Sequence, residues 1–509
     1  MRSVLQALGG LLFGVAIVAG FEGMLRVFGV AEGAPRHDPF AGFSAAVPTF
    51  EPARREDGTS IYRLSPARRR NRRLPDLSEP QREFLAEKPE GAFRVFVIGG
   101  SSSEGIPYST RYAFSSFLER RLAASLPDVR IEVVNAGFSA YASRRLLPIV
   151  EEIGRYQPDL LVVYMGHNEW AERMYYEHLL RLDPRLFRLL EWGYQTRTYA
   201  LASRVLDLPA FQRVKSLGLD PDANTFQMFG VFRARADGSG YPTPRELAYR
   251  DLLYENNLHA MADVMKRAGA RVLFATLAQN LSDWPPPASR HREGLTPAEQ
   301  ADWERALHEG RQLADRGDCA AALASFEQAL AIDDRHAELQ FRYGTCLRRL
   351  GRLAEASERF LLASDLDPVS HGAPSYFNDI LRRVASDEGA LFLDVAGLLR
   401  EASGPALVGD DLFTDFAHPN LRANQLIAAG LAGVLREAGL PRPAAEWRDD
   451  YADPDPEELY RAEPRLRVLE LESRVFVCLL APRESCPEEA GRLLVLDPRN
   501  EIAARVLRE

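Results

Sequence analysis

FRVFVIGG, at residues 93–100, is a short apolar run that ends in two glycines. Such a run is typical of a buried parallel strand that leads into a tight turn. Four more apolar runs with polar or glycine ends follow, at 131–137, 159–169, 271–278 and 389–397. Helical stretches separate these runs, including one at about 375–387. Because strands alternate with helices, the chain is predicted to be an α/β protein with a parallel sheet and helices on both faces.

The composition of the 509-residue chain is that of a globular protein. Hydrophobic residues make up 46% and charged residues 27%, which excludes global disorder, and a mean hydropathy of -0.24 excludes a multi-span membrane protein. The 63 basic and 72 acidic side chains leave a net charge of -9, so no nucleic acid is expected as a partner. The 4 cysteines are too few for a disulfide-rich scaffold, although Cys478 and Cys486 could pair outside the cytoplasm.

An uncharged segment at residues 3–21 opens the chain. Its 19 residues, at about 1.5 Å each, nearly span a hydrocarbon core of about 30 Å. We therefore predict an uncleaved transmembrane signal anchor within residues 1–30, with a cleaved signal peptide and a buried helix as alternatives. The rest of the chain would then be extracytoplasmic, and periplasmic in a bacterium. The single arginine on each side of the segment is only a weak signal for this orientation.

Two further segments lie outside the strand–helix pattern. Residues 31–90 are predicted to form a linker, because proline, arginine and charged residues dominate them. Their basic cluster ARRRNRR, at 67–73, is either a solvated arm or a contact to anionic lipid or an acidic glycan. Residues 441–509 begin with a proline-rich, acidic stretch and are predicted to continue as a helical C-terminal tail.

Candidate reactive residues fall at the ends of the predicted strands. Ser101 follows the first strand, Gly137 ends the second and Asn168 closes the third. The carboxyl ends of parallel strands meet at one edge of a sheet, so these residues are expected to lie together. The glycine-rich turn around Ser101 lacks the Gly-Lys-Ser/Thr ending of a phosphate-binding loop, which disfavours nucleotide binding.

A base for a serine nucleophile occurs late in the chain. In FTDFAHPN, at 413–420, Asp415 precedes His418 by three residues, ahead of an apolar helix. A serine is a weak nucleophile until a neighbouring base takes its proton. Ser101 and His418 are therefore predicted to act together. This chemistry requires no metal or cofactor, and no Cys/His cluster has the spacing of metal ligands.

Four blocks of the chain resemble, in order, those of the SGNH (GDSL-type) hydrolases. They are GGS at 99–101, NAG at 135–137, GHNE at 166–169 and DFAH at 415–418. The chain differs from the family in two places, because Gly100 and Glu169 each stand where the family has aspartate. The resemblance implies a flavodoxin-like three-layer α/β/α fold over 91–302 and 371–440. It also implies serine-dependent chemistry on acyl esters.

The resemblance further implies a role for each site residue. Ser101 would attack the acyl carbon, His418 would accept its proton, and Asp415 would orient the imidazole. The oxyanion hole would consist of the backbone N–H groups of Ser101 and Gly137 and the side-chain amide of Asn168. Glycine suits position 137 because a donor there must approach the substrate without a side chain in the way.

Three functions are compatible with these motifs. The leading hypothesis is hydrolysis of acetyl or other short acyl esters on a glycan, a cell-envelope component or a lipid. The same triad could transfer the acyl group to a polysaccharide, and the motifs do not distinguish water from sugar as the acceptor. The third is a repeat-based scaffold with an inactive hydrolase domain, against which the intact site residues argue. His167 is interpreted as a pocket-wall or core residue rather than a second base.

Two insertions distinguish the chain from a minimal hydrolase. Residues 170–250, rich in aromatic and arginine side chains, are predicted to be either a lid at the active site or packing decoration. Residues 303–370 are predicted to hold two tetratricopeptide units, because matched residues recur there every 34 positions. The matched pairs are Gly317 and Gly351, Ala322 and Ala356, Phe326 and Phe360, Ala329 and Ala363, and Asp333 and Asp367. The repeat would either recruit a protein or peptide partner or brace the domain.

Overall fold

The computed structural model describes residues 14, 17–30, 48–65, 82–169, 196–198, 201, 244–368, 372–404, 407–449, 451–479 and 485–508. The chain divides into two compact units. The larger consists of Pro52–Arg63, Leu74–Glu172 and Met228–Glu509, and the smaller of Met1–Glu51, Leu64–Arg73 and Arg173–Gln227. The basic cluster at 67–73 lies outside the described residues, as does most of the predicted lid at 170–250.

Three short strands form a small sheet where a linker is predicted. They are β1 (Phe50–Arg54), β2 (Ser60–Leu64) and β3 (Glu83–Leu85). The prediction of a linker over 31–90 is therefore wrong for these residues. Ile61 and Phe84 are buried, and the Phe84 ring packs edge-on against Phe96 with centroids 5.2 Å apart. Strands of three to five residues bury so few side chains on one face that they leave only a weak apolar pattern in the sequence.

A five-stranded parallel sheet forms the centre of the larger unit. Its strands are β4 (Phe93–Gly99), β5 (Ile131–Gly137), β6 (Leu160–Tyr164), β7 (Arg271–Ala275) and β8 (Leu391–Leu393). Their spatial order is β5-β4-β6-β7-β8, which is the 2-1-3-4-5 order of a flavodoxin-like sheet and confirms the predicted fold class. Gly99 pairs with both Gly137 and Tyr164, so the ends of β4, β5 and β6 meet at one edge.

Helices surround this sheet and form the inserted repeat and the tail. In chain order they are α1 (Ser101–Glu104), α2 (Phe114–Ser125), α3 (Ser143–Ile153), α4 (Pro244–Arg267), α5 (Pro297–Asp315), α6 (Cys319–Ile332), α7 (Ala337–Arg349), α8 (Leu353–Leu366), α9 (Tyr376–Asp387), α10 (Val395–Ser403), α11 (Leu421–Glu437), α12 (Pro456–Ala462), α13 (Arg465–Cys478), α14 (Cys486–Leu496) and α15 (Glu501–Val506). On one face of the sheet, α2 packs against α11. On the other face, α4 packs against α3 and α9, as right-handed crossovers require. The three layers are thus helix, sheet and helix.

The last strand is shorter than predicted. Residues 389–397 are predicted to be extended, but β8 ends at Leu393. The next residue, Asp394, caps α10, because its side chain accepts a hydrogen bond from the Gly397 N–H at 3.1 Å. An aspartate in this position begins a helix by satisfying an amide that has no partner inside it.

Helices α5 to α8 form two antiparallel pairs between β7 and β8, where the repeat is predicted. The repeated small residues make room for the repeated aromatic ones. A Cβ at Gly310 would lie 2.4 Å from the Phe326 ring, and one at Gly344 would lie 3.2 Å from the Phe360 ring. Both phenylalanines are buried, so the period of 34 residues reflects a repeated packing requirement.

The tail is helical, as predicted, and contains a disulfide. Cys478 at the end of α13 and Cys486 at the start of α14 are bonded, with an S–S distance of 2.14 Å. At the other end of the chain, the predicted anchor is described only at Gly14 and 17–30. No helix within the described residues combines the length and apolar character needed to cross a bilayer.

Candidate active site

The turn after β4 presents Ser101 at the carboxyl edge of the sheet. Ser101 is the first residue of α1, so its backbone N–H has no acceptor inside the helix. The glycine at position 100 leaves room for the Asn168 amide, since a Cβ there would lie 2.2 Å from Asn168 Nδ2. The Ser103 hydroxyl donates to the Tyr164 carbonyl of β6 at 2.9 Å and holds the turn against the neighbouring strand.

Ser101, His418 and Asp415 form a continuous hydrogen-bonded chain. His418 Nε2 lies 2.7 Å from Ser101 Oγ, and His418 Nδ1 lies 2.5 Å from Asp415 Oδ2. A carboxylate can only accept, so the imidazole proton lies on Nδ1 and Nε2 is free to accept the serine proton. The structure therefore brings together the three residues predicted to be catalytic, in the geometry of a nucleophile, its base and an orienting acid.

The segment from Thr414 to His418 holds Asp415 as an anion. Asp415 is 3% exposed, and its Oδ1 accepts the backbone N–H groups of Ala417 and His418, each at 3.0 Å. Burial would raise the pKa of this carboxyl, but the positive charge available on His418 and these hydrogen bonds bring it below its ordinary value. A short bridge between Phe413 and Pro419 closes the segment.

Asn168 lies where an oxyanion donor is predicted. Its Nδ2 donates to the Tyr141 carbonyl at 3.0 Å, which leaves the second amide proton for a ligand. Asn168 and the Ser101 turn are adjacent, since the amide lies against the α-carbon of Gly100.

The backbone N–H of Gly137 is not free to act as the oxyanion donor that the family resemblance implies. Its backbone N–H donates to Asn135 Oδ1 at 2.9 Å and is therefore already used inside the protein. A Cβ at Gly137 would lie 2.6 Å from the Glu104 backbone nitrogen, so glycine is required here for packing under α1. The sequence could not separate the two roles, because a glycine at a strand end suits both an oxyanion donor and close packing against a helix.

Ala140, three residues further along, has an unusual backbone conformation. It has φ 63°, a left-handed conformation that non-glycine residues rarely adopt outside constrained sites. Within the described part of the chain, its N–H donates to no acceptor. The next residue, Tyr141, supplies the carbonyl that orients Asn168. No feature of the sequence singled out this alanine, because glycine is the residue type that normally marks a left-handed backbone position.

Buried carboxylates hold the 138–142 segment in place. Glu104 pairs with Arg82 at 3.0 Å and accepts the Ser139 backbone N–H at 2.7 Å. Glu169 accepts the Ser143 backbone N–H at 2.7 Å and the Ser143 hydroxyl at 3.0 Å, which caps α3. Glu169, which replaces the family's aspartate, therefore fixes the segment that carries Ala140 and Tyr141.

His167 is buried beside Asn168 and stays neutral. Its Nδ1 accepts the Ala373 backbone N–H at 3.1 Å, so its proton is on Nε2, which has no partner within the described residues. Burial, together with the nearby charge of His418, lowers the pKa of His167 to about 3. A base this weak cannot take a serine proton near neutral pH, which agrees with its interpretation as a wall or core residue.

The described residues around the site show no grouping of metal ligands. No three His, Cys, Asp or Glu side chains there are grouped to hold a metal ion. What the arrangement offers is an activated serine hydroxyl, an imidazole that can return a proton, and amide donors beside both. These groups suit attack on an acyl carbonyl and stabilisation of the resulting oxyanion.

Comparison with known proteins identifies the repeat and finds similar solved structures. The tetratricopeptide repeat family matches residues 313–372, which confirms the predicted repeat. No curated protein matches the chain. The similar structures include LAE5, an alpha/beta hydrolase enzyme from the metagenome of Lake Arreo, Spain, at 15% identity, covering 67% of this chain and 95% of that one, with a TM-score of 0.29. Axe2, an acetylxylan esterase from Geobacillus stearothermophilus, has 13% identity, 69% and 96% coverage and a TM-score of 0.31.

A third similar structure is TesA, at 14% identity, with 68% of this chain and 98% of that chain covered and a TM-score of 0.28. The fold assignment rests on the spatial order of strands β4 to β8 and does not depend on these structural similarities. The chain is thus a flavodoxin-like α/β protein with an inserted tetratricopeptide repeat and a serine–histidine–aspartate triad at the carboxyl edge of its sheet.

Proposed function

We propose that the chain is a serine esterase of the SGNH type, which hydrolyses acetyl or other short acyl esters of a glycan, an envelope component or a lipid. One observation carries this proposal: the continuous chain from Ser101 Oγ through His418 to Asp415, with links of 2.7 and 2.5 Å. A serine that only shaped the turn would not need a histidine at hydrogen-bond distance, and a histidine that only filled the core would not need to bond both that serine and an aspartate.

In the proposed reaction, Ser101 attacks the acyl carbon while His418 Nε2 takes its proton. Asp415 stays ionised and stabilises the imidazolium that forms. The negative charge on the carbonyl oxygen is stabilised by the Asn168 side-chain amide and by the backbone N–H groups of Ser101 and Ala140. His418 then protonates the leaving alkoxide, and water, activated by the same imidazole, releases the acyl group from Ser101.

The disulfide supports a location outside the cytoplasm. Cys478 and Cys486 are bonded, and such bonds persist mainly in oxidising compartments. We therefore extend the proposal to an extracytoplasmic enzyme that the predicted N-terminal anchor attaches to a membrane.

A fluorophosphonate probe tests the nucleophile directly. Wild-type protein is expected to gain one phosphonyl group, which peptide mass spectrometry locates on Ser101, while Ser101→Ala gains none. Hydrolysis of p-nitrophenyl acetate is expected to fall by at least about a thousandfold in the same variant. Unchanged hydrolysis in Ser101→Ala would overturn the proposal.

The substrate class is tested with matched esters. Acetylated oligosaccharides are compared with p-nitrophenyl esters of increasing chain length, and free acetate is quantified with and without an unacetylated acceptor glycan. Release of acetate in the presence of the acceptor supports hydrolysis. Acetyl groups on the acceptor would instead show that sugar, rather than water, takes the acyl group.

A further inference from the structure

Helix α13 of the C-terminal tail lies directly behind the triad. Its Ser473 hydroxyl is 3.0 Å from Asp415 Oδ2, the oxygen that also accepts the imidazole N–H of His418. The ionised carboxylate has no proton to give, so Ser473 donates. Asp415 thus receives hydrogen bonds from its own segment and one from a helix 58 residues further along the chain.

We propose that Ser473 is a positioning residue of the triad, which fixes the Asp415 carboxylate and through it the His418 imidazole. The tail is then part of the active enzyme and not an appendage to it. This inference rests on the esterase function proposed above.

Polar contacts hold α13 against both sides of the site. Arg474, next to Ser473, donates to the Asp410 carbonyl at 2.9 Å and pairs with Glu470 at 3.0 Å. Glu470 in turn accepts the hydroxyl of Tyr108 at 3.0 Å, in the segment that follows the Ser101 turn. The helix therefore contacts the segment that carries the acid and the segment that carries the nucleophile.

Apolar contacts and the disulfide complete the attachment. Val477, one turn after Ser473, is buried in a cluster with Trp284 and Phe416. The Phe416 ring lies 5.7 Å from the His418 ring, measured between centroids. Cys478 then bonds α13 to α14, so the end of the helix is tied covalently to the rest of the tail.

The consequence of the Ser473 hydrogen bond is a pH dependence. A donor to the carboxylate stabilises its negative charge, so removal of the hydroxyl increases the proton affinity of the Asp415–His418 pair. The pair then takes up its proton at a higher pH, and activity, which needs neutral His418, is lost earlier on acidification. Among the described residues, the other ionisable groups around Asp415 include His167 after β6, Arg474 and Glu470 on α13, and Asp410, which lies 3.6 Å from Arg474.

The test compares Ser473→Val with Ser473→Thr, which have the same shape but differ in the hydroxyl. The acid limb of the kcat/KM profile for p-nitrophenyl acetate is expected to move up by about half to one pH unit in Ser473→Val. At a pH on that acid limb, kcat/KM of Ser473→Val should be about three- to tenfold below wild type, while Ser473→Thr follows wild type. Ser485→Ala serves as control, since that serine, in the same tail, makes no capping hydrogen bond with its side chain. Superimposable Val and Thr profiles would overturn the proposal.

A second measurement needs no turnover. In protein labelled with [13C]histidine and carrying Ser101→Ala, the ring signal of His418, assigned with His418→Gln, reports the titration of the Asp415–His418 pair. A midpoint raised by Ser473→Val, but not by Ser473→Thr, supports positioning even if the wild type hydrolyses no ester, in which case only the esterase proposal fails. An esterase whose midpoint is the same in both variants leaves the esterase proposal standing and refutes the role of Ser473.

Discussion

Ala140 adopts a left-handed backbone conformation in the segment that orients Asn168, with φ 63°. For an L-residue other than glycine, this conformation costs about 1–2 kcal/mol. Hydrogen bonds on both sides maintain this conformation, because the Ser139 N–H donates to Glu104 and the Tyr141 carbonyl accepts from Asn168. The strain therefore lies where the mechanism needs a backbone N–H directed away from the protein's own acceptors.

Two substitutions separate an oxyanion donor from a packing glycine. Asn168→Ala removes a donor without creating a clash, so kcat/KM should fall about 10²- to 10³-fold while the melting temperature changes little. Gly137→Ala places a methyl group 2.6 Å from the Glu104 backbone nitrogen, so it should lower the melting temperature. Ester hydrolysis and thermal unfolding measured on both variants check this. A stable Gly137→Ala protein with a selective loss of kcat would restore Gly137 as a donor.

His167 makes stability depend on pH. Its pKa is about 3 in the folded protein, against 6.5 for the unperturbed group, so only the unfolded chain binds a proton between these values. The stability from this group is complete above pH 6.5 and declines as the pH falls toward 3, by about 1.4 kcal/mol per unit. At pH 4.5 the loss should be about 2–3 kcal/mol. Urea unfolding at pH 7.5 and 4.5 should show a smaller loss in His167→Gln than in wild type, and equal losses would contradict this account.

At the scale of elements, the strands were the most predictable feature. β4, β5 and β6 are buried almost throughout, and a strand covered on both faces is apolar at most positions. The buried charges Arg94 and Glu132 are tolerated because they pair with each other at 2.7 Å. The end of β8 was less predictable, because Asp394 begins a helix with a single side-chain hydrogen bond. The small sheet of β1 to β3 escaped prediction, since it draws its stability from contacts such as that of Phe84 with Phe96.

The start of α3 depends on Glu169, which comes from the end of β6. Glu169→Ala removes both acceptors of Ser143 and should cost about 1–2 kcal/mol of stability, with a further loss of kcat because the Ala140 segment loosens. Glu169→Asp restores the carboxylate on a shorter side chain and should fall between wild type and Glu169→Ala. Thermal unfolding and ester hydrolysis measure the two effects. Full activity in Glu169→Ala would show that α3 does not position the site.

At the scale of the whole molecule, sequence-distant segments converge on one edge of the sheet. The repeat is tied to the segment after β7, where Arg348 pairs with Asp283 at 2.8 Å and Gln279 donates to Ser364 at 2.7 Å. The residue after the repeat, Ala373, supplies the amide that sets the His167 proton. In the tail, helix α13 contacts the same edge through the hydrogen bond from Ser473 to Asp415. The insertion and the tail therefore buttress the catalytic residues instead of standing apart from them.

The disulfide should stabilise this arrangement. Closing the loop between Cys478 and Cys486, separated by 8 positions, is worth about 2–3 kcal/mol by loop-entropy arguments. The double variant Cys478→Ser/Cys486→Ser should melt at a lower temperature and lose activity at a lower urea concentration than wild type. Cys319→Ser, at a buried free cysteine, controls for thiol removal. Identical melting of wild type with and without reductant would contradict this expectation.

The sequence by itself determined the parallel sheet and the repeat, and its four motif blocks pointed to Ser101, Asn168, Asp415 and His418 as site residues. The sheet and the repeat follow from local rules, since buried strands are mostly apolar and repeated packing needs small residues at a fixed period. The roles of the site residues came instead from the resemblance of the motif blocks to the SGNH hydrolases. Only the tertiary structure decided which backbone amide is free for an oxyanion and that Ser473 supports Asp415. Free amides and long-range hydrogen bonds depend on which distant atoms meet, and no local pattern of residue types records that.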